Sequence, residues 1–254
     1  FIMYTMPEVE NKAWYTEWFN SPYYDLLYKE RDQEEAENFI KKLVAFLSPK
    51  PGCLMLDIAC GKGRHAISLS KMGFTIDGFD LSEKNILCAK NYETPTLSFY
   101  IHDMRRPFMV NYYDTVFNLF TSFGYFENER ENQAVLVNIY NALKPGGIFV
   151  LDFMNMEKTL QHILAHEEKI VDGVKFQVSK SIDKNSFLVK EIHVEDKKAQ
   201  YDFEEKVKTF TQATLKNSLI KCGFEIIRIF GDYLLNDFNP ATSDRLILIS
   251  KKKQ

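Results

Sequence analysis

The 254-residue sequence predicts an α/β fold: a doubly wound, mostly parallel seven-stranded sheet with an antiparallel β meander inserted before its last helix. Three observations predict it. Leu54 to Gly63 reads as a short buried strand, an acid at Asp57 and a glycine turn, with a helix starting near Arg64. Strand and helix patterns then alternate as far as residue 155, the signature of parallel βαβ units. Beyond residue 165 come period-two segments separated by Asp172-Gly173, Asp183-Lys184-Asn185 and Asp196-Lys197-Lys198, which are hairpin signals.

The elements follow in order. Residues 1–33 crowd together Trp14, Tyr15, Trp18, Phe19, Tyr23, Tyr24 and Tyr28, with Asn20-Ser21-Pro22 breaking a helical pattern in two. From Glu34 to Leu47, Phe39, Ile40, Leu43, Val44 and Leu47 form an amphipathic stripe that ends at Ser48-Pro49. A helix from Arg64 to Met72 stops at Gly73, and strands are expected over Thr75 to Asp80, Leu97 to Ile101 and Thr115 to Phe120. The helix Glu131 to Leu143 leads to a Lys144-Pro145-Gly146-Gly147 turn and a fifth strand. A short helix to about Ala165 precedes the meander, and Gln212 to Lys221, Phe224 to Phe230 and Arg245 to Ser250 supply a last helix and two strands. The chain thus divides into an aromatic segment (1–33), an α/β domain (34–155 and 211–254) and an insert (156–210).

Two glycines flanking one residue, Gly61 and Gly63, let backbone pass close to a ligand, because neither has a Cβ and both tolerate positive φ. The acid Asp80, at the end of the second strand, falls where a nucleotide-binding unit presents a carboxylate to ribose hydroxyls, and it also suits a helix cap. Ala66 occupies the third position of a Gly-x-Gly-x-x-Gly pattern, a substitution that pattern allows, so spacing alone leaves NAD open. Asp57 separates the ligands: an acid there would oppose a pyrophosphate and favour a cationic, amino-acid-bearing molecule.

Asp57-Ile58-Ala59-Cys60-Gly61-Lys62-Gly63-Arg64-His65 resembles the first motif of class I S-adenosylmethionine-dependent methyltransferases, a Rossmann-like family. Asp80-Leu81-Ser82, His102-Asp103-Met104 and Lys144-Pro145-Gly146-Gly147 with the following strand resemble its later motifs in the same order, over roughly residues 37–155. The resemblance implies S-adenosylmethionine as cofactor and S-adenosylhomocysteine as product. Asp57, Ala59, Cys60, Gly61 and Gly63 would meet the methionine part, Asp80 and Leu81 the ribose, and Asp103 and Met104 the adenine. Leu119, at the end of strand four, joins the cofactor-binding set. Tyr24, within Tyr24-Asp25-Leu26-Leu27-Tyr28, resembles a lid that lends a hydroxyl to the cofactor, and Arg31 would then either face its carboxylate or stand as a surface arginine. Thr121 to Phe126 resembles the loop after strand four in sugar-amine and other small-molecule N-methyltransferases.

A methyl on a sulfonium is already activated, so an amine needs positioning more than a base, whereas a hydroxyl or carbon acceptor requires one. Tyr125 is the expected residue beside the methyl, and His193, on the insert, is the candidate on the acceptor side. His65 and His102 are read as structural or cofactor-side. The insert serves either as substrate-binding layer or as the interface of a homodimer.

Net charge −3 gives no basic footprint for nucleic acid, and 45% apolar with 26% charged residues argues for a packed globular protein. No apolar stretch approaches the roughly 18 residues that would span a membrane, and no leader pattern is legible. Cys53, Cys60, Cys88 and Cys222 form neither a metal pattern nor a disulfide framework, so a reducing cytoplasm and no metal are expected. The reading is a methyltransferase acting on a small-molecule acceptor, an amine; the alternatives are an RNA or protein methyltransferase, or a non-catalytic cofactor-binding module.

Overall fold

A computed structural model describes residues 13–29, 33–161, 163, 166–197 and 199–253. Short strands with apolar residues on both faces lie at its centre, as a sheet covered on both sides requires. β1 (Leu54–Ile58) pairs in parallel with β2 (Thr75–Asp80) on one side and β4 (Tyr113–Asn118) on the other. With β3 (Leu97–Ile101), β5 (Leu143–Met154), β10 (Phe224–Phe230) and β11 (Arg245–Lys252), the sheet order is β10-β11-β5-β4-β1-β2-β3. Chain direction across the sheet reverses between β1 and β4. The carboxyl ends of those strands therefore splay their loops apart and leave a crevice.

Alternation along the strands assigns the two faces. Leu56, Ile58 and Val116 join α6 (Glu129–Ala142) and α8 (Gln212–Lys221) in one core. Met55 and Phe117 join α3 (Gln33–Leu47), α4 (Arg64–Lys71) and α5 (Glu83–Ala89) in the other. The stripe Phe39, Ile40 and Leu43 is buried on α3 as the periodicity predicts.

β6 (His166–Val171), β7 (Val174–Ile182), β8 (Phe187–Asp196) and β9 (Ala199–Lys208) form a separate antiparallel sheet in that order, preceded by α7 (Met156–Gln161). Phe176, Val178, Ile192 and Val194 on this sheet pack with Trp18 of α1 (Trp14–Trp18) and Leu27 of α2 (Pro22–Leu27) as a third core. Pro22 sits at the first turn of α2, where it lacks no needed donor, and Ser21 caps it by accepting from Tyr23 N–H at 3.1 Å. Residues 13–29 are thus anchored on the insert.

Of the boundaries that differ from the sequence reading, two have a clear physical cause. Lys144 to Gly147 is not a free turn but an irregular stretch of β5, across which the pairing with β4 jumps from Tyr113–Leu143 to Thr115–Ile148. Gly147 is required there by packing, since a Cβ would stand 2.9 Å from Lys144 O. β4 ends two residues early, at Asn118, because Phe120 and Thr121 turn into left-handed φ of 66° and 61°. Among the described residues no helix is long and apolar enough to cross a membrane.

Candidate functional site

Three strand ends build the crevice. After β1 the backbone turns left-handed at Ala59 (φ 56°) and again at Gly61 (φ 57°). Non-glycine residues rarely adopt such φ, and they concentrate at binding sites. A Cβ on Gly61 would meet nothing within 4 Å, so the space above it is open. Gly63 has another reason to be glycine. Its Cβ would lie 2.5 Å from the Phe99 ring, and its φ of 84° starts α4. Gly63 is not among the residues that line the crevice.

Asp57 is 1% exposed and its Oδ2 has no hydrogen-bond partner among the described residues. Burial pushes its carboxyl up to about 7, against the lowering pull of Arg64 and a bond from the Ala66 N–H. At the end of β2, Asp80 accepts from Gly61 N–H at 2.9 Å and Ser82 N–H at 2.8 Å, so it ties the glycine turn to the next loop. Burial raises its carboxyl and those backbone donors lower it. The helix cap is Ser82, which accepts from Asn85 N–H. His65 is buried, which lowers its imidazole to about 3 and keeps it neutral. Burial raises the Cys60 thiol well above its usual range.

These groups line a cavity of about 990 Å³ together with Ala59, Leu81, Asp103, Met104 and Leu119. Tyr15, Phe19, Tyr24 and Tyr28 close it from the N-terminal helices. Three contacts hold this cover to the segments that follow β1 and β2: Lys62 to Asp25 at 2.7 Å, Lys84 Nζ to Asn20 O at 2.9 Å, and the Ser82 hydroxyl to the Asn20 side chain. Arg31 and His162 lie outside the described residues.

A second cavity, of about 1060 Å³, opens on the insert and shares Tyr15, Tyr125 and Phe126 with the first. His193 lines this one, with Nδ1 2.7 Å from Asp202, and not the first. Arg105 reaches it too. Its guanidinium is held bidentately by Asp103 and at 2.6 Å by Glu131, and lies 4.8 Å over the Phe126 ring. Sequence reading assigned Asp103 to adenine and missed this second task.

Tyr125, in the wall between the cavities, donates its hydroxyl to Thr121 O at 2.7 Å. Burial raises its phenol well above the usual range, and the ring packs edge-on against Trp14 at 5.3 Å. The loop carrying it is pinned by residues the sequence did not single out. Asp152, 0% exposed on β5, accepts from Phe120 N–H at 2.8 Å, Tyr233 hydroxyl at 3.1 Å and Arg245 Nε at 2.8 Å. Arg245 in turn donates to Thr121 Oγ1 at 3.0 Å.

The strand order, the glycine turn and the covered cavity at the switch point define a class I S-adenosylmethionine-dependent methyltransferase. Residues 49–219 match the methyltransferase domain family, and the chain belongs to it. Over 244 residues it is 25% identical to a Geobacillus sp. (strain WCH70) protein named as a methyltransferase, covering 91% of this chain and 97% of that one. Over 131 residues it is 30% identical to the dTDP-3-amino-3,4,6-trideoxy-alpha-D-glucopyranose N,N-dimethyltransferase of Streptomyces venezuelae, covering 51% and 54% of the two chains. Its fold matches that of an S-adenosylmethionine-dependent methyltransferase from Clostridium acetobutylicum ATCC 824, with TM-score 0.77 at 17% identity over 91% and 96% of the chains. The methyl donor is S-adenosylmethionine. The cavity fits it: an unpartnered buried carboxylate oxygen suits an ammonium, and open space over Gly61 admits a chain.

Proposed function

We propose that this methyltransferase acts on a small-molecule amine, held in the cavity of the insert and methylated at the shared wall. The observation that carries this reading is the meeting of two cavities at Tyr15, Tyr125 and Phe126. S-Adenosylmethionine, when bound, supplies an activated methyl group. Asp57 would take its ammonium, Asp80 its ribose hydroxyls, and the surroundings of Asp103, Met104, Leu81 and Leu119 its base. Ala59, Cys60 and Gly61 would follow its chain, under Tyr24.

Residues 1–33 then act as lid, 156–210 as acceptor layer, and 34–155 with 211–254 as the cofactor unit. The named substrate of the Streptomyces relative, an amino sugar, supports an amine. A cytoplasmic setting is supported by the cysteines, which are all free. A homodimer through the insert is a second reading, supported by Ile170, 72% exposed on edge strand β6, and light scattering tests it.

Asp80→Ala should weaken S-adenosylhomocysteine binding by roughly 1.5–3 kcal/mol, the range for hydrogen bonds to a charged group. Asp80→Asn, which still accepts from the turn, separates ribose recognition from loop support. Equal calorimetric affinity for wild type and both variants would remove Asp80 from the ribose site.

The Tyr125 hydroxyl is engaged by Thr121 O and its phenol stays protonated, so it is no base. Tyr125→Phe should therefore lower turnover by less than about a hundredfold, the low end of general-base effects. A drop of several thousandfold with cofactor binding intact would point instead to acid–base chemistry on a hydroxyl.

A further inference from the structure

The insert cavity has a charge pattern that selects among amines. Arg105 is neutralised by Asp103 and Glu131, Lys206 by Glu204 at 2.7 Å, and His193 faces Asp202. Glu17 of α1, Glu127 of the loop after β4 and Glu191 of β8 also line it, and none has an ion-pair or hydrogen-bond partner among the described residues. His166 is engaged by Ser179 Oγ at 3.3 Å. Three elements distant in sequence thus bring carboxylates to the lining of one chamber, and among its described lining residues the arginine and the lysine, Arg105 and Lys206, are both already paired. A cleft lined by one sign of charge concentrates ligands of the other.

Resting on the amine reading, we infer that the acceptor carries positive charge and no diphosphate, and that Glu17, Glu127 and Glu191 select it on entry. The chamber is an acceptor site because it adjoins the cofactor cavity through Tyr15, Tyr125 and Phe126; the carboxylates decide which acceptor it takes. A diphosphate needs guanidinium, ammonium or free backbone N–H donors. Here the guanidinium of Arg105 already has two carboxylate partners, so a nucleotide-linked sugar of the kind named for the Streptomyces relative would meet repulsion. An aliphatic diamine would meet attraction at one end while its other nitrogen reaches the wall.

The test uses putrescine and thymidine diphosphate as probes on the S-adenosylhomocysteine-loaded protein, by calorimetry at low and high salt. Putrescine should bind more tightly than thymidine diphosphate, and its affinity should fall with salt. The triple variant Glu17→Gln, Glu127→Gln, Glu191→Gln should weaken putrescine about tenfold, the product of three modest exposed-pair effects. It should leave S-adenosylhomocysteine affinity unchanged, since none of the three lines the first cavity. Tighter binding of thymidine diphosphate, an unaltered putrescine affinity in the variant, or no binding of either probe would each overturn the inference. Probe binding is read separately from methyl transfer. A labelled methyl found on oxygen would therefore sink the amine reading alone.

Discussion

Arg245→Ala is expected to destabilise the fold by roughly 3–5 kcal/mol, the cost of leaving a buried charge without its partner. The charge left behind is Asp152, 0% exposed, whose remaining donors would be Phe120 N–H and the Tyr233 hydroxyl. Burial alone would lower the Arg245 guanidinium, yet the charge of Asp152 beside it raises it, so the ion pair outweighs desolvation. Asp152→Ala should cost as much, because it orphans a guanidinium, a backbone N–H and a phenol together. The effect would extend to the site. Phe120 and Thr121, both at left-handed φ, bond to Asp152 and Arg245, and the same loop carries Ser122 and Tyr125. Denaturant unfolding measures the loss, and a double-mutant cycle with Asp152→Leu and Arg245→Met isolates the coupling. A loss below about 1 kcal/mol for either alanine variant would show that the pair is not what holds the loop.

That pair also marks how far the sequence could be read. β1 and β3 were legible because each is a short, mainly apolar run stopped by a polar residue or a turn, and β2 because Gly73 ends the helix before it and an acid, Asp80, ends the strand, all local signals. The hairpins of the insert were legible for the same reason: Asp172 and Gly173 supply adjacent left-handed residues at φ 48° and 82°. Asp152 and Arg245 lie 93 positions apart, and nothing local in either segment announces the other. Lys144 to Gly147 looked like a turn because its residues favour one, but neighbouring β4 draws the stretch into register around an irregularity. The glycines tell a similar story. Gly61 faces open space, while Gly63 and Gly78 both yield room to the Phe99 ring, 2.5 Å and 2.8 Å from where their Cβ atoms would be. A glycine inside a strand, Gly78, was the available clue that a side chain crosses there.

The two cavities were the least legible feature, because they arise where α1, β8, β9 and the loop after β4 come together. A four-residue cluster explains why those parts meet. Glu205 on β9 accepts from Lys190 Nζ of β8 at 2.9 Å, from the Tyr28 hydroxyl at 2.8 Å and from the Trp18 indole at 3.1 Å. Trp18 is fully buried and the side chains of Lys190 and Glu205 are 13% and 11% exposed, so solvent screens the charges little. One carboxylate therefore binds the N-terminal helices to the inserted sheet.

Removing it by Glu205→Ala should open the cover before it unfolds the domain. The variant leaves an ammonium, a phenol and an indole N–H competing for partners, and roughly 3 kcal/mol of docking free energy should be lost, the lower end for a broken buried pair. Residues 13–29 reach the α/β domain by contacts that are partly solvent-exposed, such as Lys62 with Asp25, so they form a unit able to open locally. If release of S-adenosylhomocysteine runs through that opening, its dissociation rate should rise about a hundredfold, since each 1.4 kcal/mol is tenfold. Amides of α1 and α2 should exchange faster, while those of β1, β4 and β5 keep their protection. Glu205→Gln retains acceptors for Trp18 and Tyr28 but not the charge facing Lys190, so it should fall between the two. Faster release with unchanged exchange in α1 and α2 would place the effect in the cavity and not in the cover. Unchanged release with faster exchange would mean that the product leaves by the insert cavity instead.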